Sequence, residues 1–200
     1  AKSARGGPRG GMNTPAHLIF GAVAFGRPGV RFVPAAAVLG SLAPDLSLYL
    51  MVAMSIWVLG IPPHTVFDQL YFSDLWQAVF AVDNSFILWG MLLGLGLYRG
   101  WPVLRAFASG GLLHLAFDFM LHNEDARRQF WPISDWVFRS PFSYYDSHRY
   151  GDIIGPIEVV LCMVFSVVLW RRFPDRVART LIGLALAMEL LPGLLFRYIL

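Results

Sequence analysis

Charge is scarce in this chain. Lys, Arg, Asp and Glu make up 14% of its 200 residues, against 56% hydrophobic residues, whereas soluble domains carry about 25% charge. A water-soluble protein of this composition would expose large apolar patches and aggregate; lipid removes that problem. Cysteine is nearly absent too. Cys162 is the only one and lies within an apolar run, which excludes an intrachain disulfide and leaves the compartment undefined. No internal repeat, Walker-type loop or soluble domain can be read. The basic, Gly-rich start is followed by an apolar stretch that Arg27 and Pro28 interrupt without an A-x-A-like site, so no cleavable secretory signal is evident. Residues 1–12 read as a flexible basic cytoplasmic tail, and 13–200 as a single helical membrane domain.

The net charge of +3 does not point to nucleic acid. Basic residues sit at the start (Lys2, Arg5, Arg9) and between apolar runs (Arg27, Arg31, Arg99, Arg171, Arg172, Arg176). That is a positive-inside pattern rather than a phosphate-reading stripe. With the Arg-rich turns in the cytoplasm, the polar loops fall on the other side.

Along the chain, Asn13-Thr14-Pro15 offers an N-cap in Thr14 and a good first helical residue in Pro15. The first helix is expected to end near Phe25, at Gly26-Arg27-Pro28-Gly29. A dozen residues rise about 18 Å, short of a hydrocarbon core of roughly 30 Å. Such a segment is a half-helix, re-entrant, or buried against its neighbours. Pro34 and Pro44-Asp45 interrupt the next apolar stretch, which fits one long kinked span or two short helices. Residues 61–82, without Lys or Arg and containing Pro62-Pro63, read as a loop. Runs 84–98 and 101–121 predict an antiparallel hairpin around Arg99-Gly100. The long segment 122–152 is rich in aromatics, including Trp131, Trp136, Tyr144 and Tyr145; it suits an ordered position at headgroup level. Two further apolar runs, 153–170 and 177–200, complete an all-α polytopic bundle of about five to six short helices.

The polar residues inside these runs carry the chemistry. His114 and Asp118 are four apart and share a helical face, and His122 follows four residues later. This H-x-x-x-D-x-x-x-H ladder can offer one metal three ligands or bridge two metals, because imidazole nitrogen and carboxylate oxygen are ordinary zinc ligands. A His114–Asp118 pair that merely satisfies itself in the bundle is the competing reading. Ionisable groups at the centre of a membrane span cost about 2.5 kcal/mol or more, and His17, Asp45 and Asp83 also lie in or beside apolar runs. Asp45 follows Pro44, where a kink freeing carbonyls beside a carboxylate suits a cation; a helix break with Asp45 as the next cap fits as well. Glu158 and Glu189 have no obvious basic partner: they are neutral by desolvation or line a polar cavity. His64 reads as a loop residue, and Gly90-x-x-x-Gly94 as a close-packing face.

The order of these motifs, Thr14-Pro15-Ala16-His17, then Leu42-Ala43-Pro44-Asp45, then Asp83-Asn84-Ser85, then His114-x-x-x-Asp118 before an aromatic loop, resembles the membrane-bound metal-dependent hydrolases of the YdjM-like type. That family is itself similar to zinc-dependent phospholipase C. The resemblance covers roughly residues 12–136. It implies His17, Asp45, His114 and Asp118 as metal ligands, with Asp83 as a replacement ligand. Where the family has a second acid after Pro-Asp, this chain has Leu46-Ser47. Where the family has a His-Arg…His-Ser motif, it has Asp83-Asn84-Ser85.

The expected function is therefore membrane-embedded, zinc-dependent hydrolysis of a phosphoester or another lipid-linked bond, in a bacterial inner membrane. His17, Asp45, His114, Asp118 and His122 are the metal residues, Asp83 or Asp125 the base, and membrane lipids the surroundings. A non-enzymatic accessory or assembly subunit of a larger membrane complex is the alternative, motivated by the missing family histidines and the aromatic loop. A proton or solute path through Asp45, Glu158 and Glu189 is a third reading, which no inverted repeat supports.

Overall fold

Helix α1 (Thr14–Phe25) has Pro15 in its first turn, where the missing N–H costs nothing. The computed structural model describes residues 14–144 and 146–199, with backbone alone for 192–199, so the tail expected at 1–12 lies outside the described residues. Thr14 is the first helical residue rather than the expected N-cap, and its hydroxyl serves a tertiary contact instead. The other end of α1 is closed by Arg172, whose Nη1 donates to the carbonyls of Val23 (2.6 Å) and Gly26 (3.3 Å). A cation on these last carbonyls also complements the helix dipole.

Helix α2 (Val33–Ala53) carries Pro34 in its first turn and Pro44 inside, and runs on without a break into a π-helical turn, Met54–Val58. One long span, not two short helices, results. The expected loop at 61–82 is instead largely helical: a turn α3 (Pro63–Thr65), a π-helical turn Val66–Leu70, and α4 (Asp74–Asp83). The reason is local. Pro63 is tolerated at a helix start, Ser73 Oγ caps α4 by accepting from Trp76 N, and Asp74 suits the first turn. Trp76 and Phe80 then bury against Val66.

Asn84 and Ser85 break the chain before α5 (Phe86–Tyr98), capped by Ser85 Oγ accepting from Leu88 N (3.2 Å). A tight turn with Gly100 at φ 66° leads into α6 (Pro102–Leu121), so the expected hairpin forms. Helices α7 (Gly151–Arg172) and α8 (Arg176–Ile199) follow the long aromatic segment. The described residues thus hold seven helices of ten residues or more and no strand, rather than five or six helices.

Among the described residues, four stretches are long and apolar enough to cross a membrane: Val33–Val58, Asp74–Tyr98, Pro102–Leu121 and Gly151–Arg172. Large side chains such as Trp57 (82% exposed), Leu75 (72%) and Tyr98 (86%) point outward, which only a lipid surrounding accommodates over so many positions. This is an integral membrane helical bundle. At its centre, α2 and α6 pack so closely that a Cβ on Gly40 would meet the Phe107 carbonyl at 1.9 Å, and one on Gly110 the Ala37 carbonyl at 2.5 Å. Gly90 and Gly94, expected to form a close-packing face, have nothing within 4 Å of a Cβ.

Candidate metal centre

Helices α1, α2 and α6 each deliver a polar side chain to one buried point. From α6 come His114 and Asp118, 1% and 6% exposed, from α1 His17 at 2%, and from α2 Asp45 at 6%. His122, the residue capping the end of α6, completes the set. Asp118 is the hub: its Oδ1 lies 3.5 Å from His17 Nε2 and 3.7 Å from His122 Nε2, and its Oδ2 lies 3.3 Å from His114 Nε2. Asp45 Oδ1 stands 3.8 Å from the same His114 nitrogen. The rings of His17 and His114 stack with centroids 4.0 Å apart.

The tautomers follow from the partners. His114 Nδ1 lies 2.7 Å from the Ser41 carbonyl; a carbonyl only accepts, so Nδ1 carries the proton and a neutral ring turns its Nε2 lone pair inward. Pro44 withholds a donor from its own turn, in the same stretch of α2 that offers the Ser41 carbonyl. His122 Nδ1 pairs with Asp125 Oδ2 at 2.7 Å, the outer carboxylate that fixes a histidine's orientation at many metal sites. Burial works against a charge on His122, but Asp118 and Asp125 outweigh it and hold the imidazole above its ordinary value.

Asp45 is held from behind as well. Thr14 Oγ1 donates to its Oδ2 (3.0 Å) and is itself hydrogen-bonded to the Tyr49 hydroxyl. Arg127 Nη1 approaches its Oδ1 at 3.5 Å and donates to Asn84 Oδ1 at 3.0 Å, with the guanidinium 4.8 Å from the Phe80 ring centroid. Asn84, fully buried, donates in turn to the carbonyls of Phe80 (3.0 Å) and Pro44 (3.4 Å). Burial disfavours a charge on Arg127, but Tyr71 and the carboxylates of Asp45 and Asp118 keep it above an already high ordinary value.

Two magnitudes separate a metal site from a self-satisfied ion pair. Charge-assisted hydrogen bonds run about 2.7–2.9 Å, as His122–Asp125 does, yet the contacts to Asp118 are 3.3–3.7 Å. Donor atoms about 2.0–2.2 Å from a tetrahedral ion lie roughly 3.3–3.6 Å from one another. His114 Nε2 and Asp118 Oδ1 are also buried without a hydrogen-bond partner. A cation between these donors would satisfy them at these spacings. His17, His114 and Asp118 have donor atoms all within 4.8 Å of one another and could hold a metal ion.

All five residues expected as ligands therefore meet. Asp83 does not join them: it ends α4 beside Ser47, and its backbone carbonyl accepts from Trp89 Nε1 (2.7 Å). Asp125 lies behind His122 rather than at the centre. Asp135 and Asp146 form ion pairs with Arg128 and Arg149, both at 3.2 Å, and His64 is exposed. Glu158 and Glu189 form a separate buried patch beside Tyr144, whose ring centroid is 6.1 Å from that of His122. Arg127 was not singled out in the sequence; its only signal was a cation at the start of a segment read as interfacial.

A narrow opening lined by Asp118, His122, Asp125, Arg127, Gln129 and Phe138 leads to the centre. The aromatic segment is fastened over this end of α6: Ser140 N donates to the His122 carbonyl (2.9 Å), Gln129 Nε2 to Leu115 O (3.3 Å), and Phe138 stacks on Phe119 at 4.6 Å. Searches against family models, curated proteins and solved structures give no match to this chain.

Proposed function

We propose that this protein is a membrane-embedded, metal-dependent hydrolase of the YdjM-like type, acting on a phosphoester or another lipid-linked bond, with zinc as its metal. The observation that carries the reading is the spacing around Asp118: 3.3–3.7 Å to three histidine nitrogens, beside a 2.7 Å hydrogen bond at His122–Asp125. His17, His114 and Asp118 supply three ligands, the number a catalytic zinc uses while keeping a position open. Bound there, zinc brings the pKa of a coordinated water to about 7 and polarises the scissile group. His122, its Nδ1 fixed by Asp125, presents Nε2 to the same point from the side of the opening and, in its neutral form, would accept a proton from a water there. Arg127, the one cation lining that opening, faces the negative charge that develops on a phosphoryl group. The same proposal puts the protein in a bacterial cytoplasmic membrane with its Arg-rich end inward.

Metal content, measured by mass spectrometry on detergent-purified protein, tests this directly. Wild type is expected to carry near-stoichiometric zinc and to cleave a fluorescent phospholipid, and a His114→Ala/Asp118→Ala variant to do neither. Absence of metal from both proteins would overturn the proposal and favour the accessory-subunit reading, with His114 and Asp118 as a structural pair.

A further inference from the structure

The opposite end of the bundle carries a feature that the metal centre does not use. At the end of the bundle below the close contact of Gly40 with Phe107, the outward faces of the first turns of α2 and α6 frame a groove. Its walls are wholly apolar: Phe32, Ala35 and Leu39 on one side, Trp101, Leu104 and Phe107 on the other. It faces outward, with Phe32, Leu39 and Trp101 each half exposed or more.

The mouth is charged on both sides. The Arg31 guanidinium lies 4.5 Å from the Phe32 ring centroid, and that of Arg99 lies 5.7 Å from Trp101. Both arginines are exposed, and among the described residues neither forms an ion pair with an acid. Phe32 is held at φ 64°, a left-handed conformation that is costly for a bulky residue. That backbone sets its ring at the mouth as the N-cap position of α2.

An apolar trough in the membrane surface under two unpaired guanidinium groups matches one kind of ligand: an acyl chain attached to an anionic headgroup. We propose that this groove is a binding site for an anionic phospholipid, its chain lying between α2 and α6 and its phosphate held by Arg31 and Arg99. A neutral lipid would fill the trough equally well but leave the two charges without a partner. Arginine suits this task because its planar donors grip phosphate oxygens in pairs while the same plane rests on an aromatic face.

Quenching of Trp101 tests the site. The full chain is reconstituted in phosphatidylcholine nanodiscs containing brominated phosphatidylglycerol or brominated phosphatidylcholine, and the Trp101 signal is taken as the difference from Trp101→Phe. About thirtyfold preference for the anionic lipid is expected, the scale of two basic residues acting at a membrane surface. Arg31→Gln/Arg99→Gln should abolish that preference, and Arg171→Gln/Arg176→Gln, at the same end of the bundle, should leave it. Ala35→Phe, which fills the trough, should protect Trp101 from both lipids. Equal quenching of wild type by the two lipids would overturn the proposal, as would loss of the preference in the Arg171/Arg176 variant, which would mark diffuse surface charge. Quenching unaffected by Ala35→Phe would also overturn it, because the chain would then lie elsewhere.

Discussion

Two groups of ionisable side chains are buried in this bundle, and they are built on different plans. Around Asp118, donors are tied from behind: His114 by the Ser41 carbonyl, His122 by Asp125, and Asp45 by Thr14 and Arg127. They stand on helices locked together where Gly40 and Gly110 meet neighbouring backbone. Between α7 and α8, Glu158 and Glu189 are as deeply buried, at 5% and 2% exposed, yet no cation pairs with Glu158 among the described residues and one of its oxygens has no hydrogen-bond partner. Burial alone does not make a site. The cost of an ionisable group in a membrane is offset in the first region by surroundings that fix each donor toward one point. In the second the same cost is met by carboxyl groups beside Tyr144 and Cys162, with no such convergence.

Substitutions that separate the two regions sharpen this contrast. Arg127→Met should have the largest effect among them: kcat/KM on a fluorescent phospholipid should fall about 10²–10³-fold, as when a preorganised donor to developing charge is removed, with zinc content retained. Unchanged turnover would reduce Arg127 to a counter-ion for Asp45. Asp125→Asn should lower activity by about 10–100-fold, the usual scale for losing an outer carboxylate, and should shift the pH–rate profile. A profile identical to wild type would mean that His122 needs no orienting partner. Glu158→Gln, nearly the same shape, should leave both zinc content and turnover at wild-type values. A loss of metal in that variant would join the two regions into one site and end the comparison.

Much of the centre was legible because apolar sequence makes polar residues conspicuous. The four-residue spacing of His114, Asp118 and His122 puts them on one face of α6, and a helix keeps that promise wherever it packs. His17 and Asp45 stood out only as ionisable groups in apolar runs; that they meet α6 depends on helix crossings that no local pattern encodes. Arg127 stayed hidden for the converse reason. A cation in a polar, aromatic segment is unremarkable until tertiary packing buries it against Phe80 and Asn84. Asp83 misled because it sits one residue from the break at Asn84–Ser85: Asn84, not Asp83, reaches Arg127. The helix at 74–83 was missed because the stretch 61–82 with its Pro62-Pro63 reads as a loop, although Pro63 and Asp74 stand where a helix start tolerates or favours them.

The starts of α2 and α6 set a depth gauge. Asp45 comes twelve residues after Val33, and His114 twelve after Pro102, both counted from the Arg-rich end. At 1.5 Å per residue each is lifted about 18 Å along its helix, more than half the thickness of a hydrocarbon layer of roughly 30 Å. Two independent helices thus act as rulers cut to one length. Under the proposed function, a lipid's scissile bond would have to be brought to that height. Inserting a single residue into the first turns of either helix would set the two marks about 1.5 Å apart.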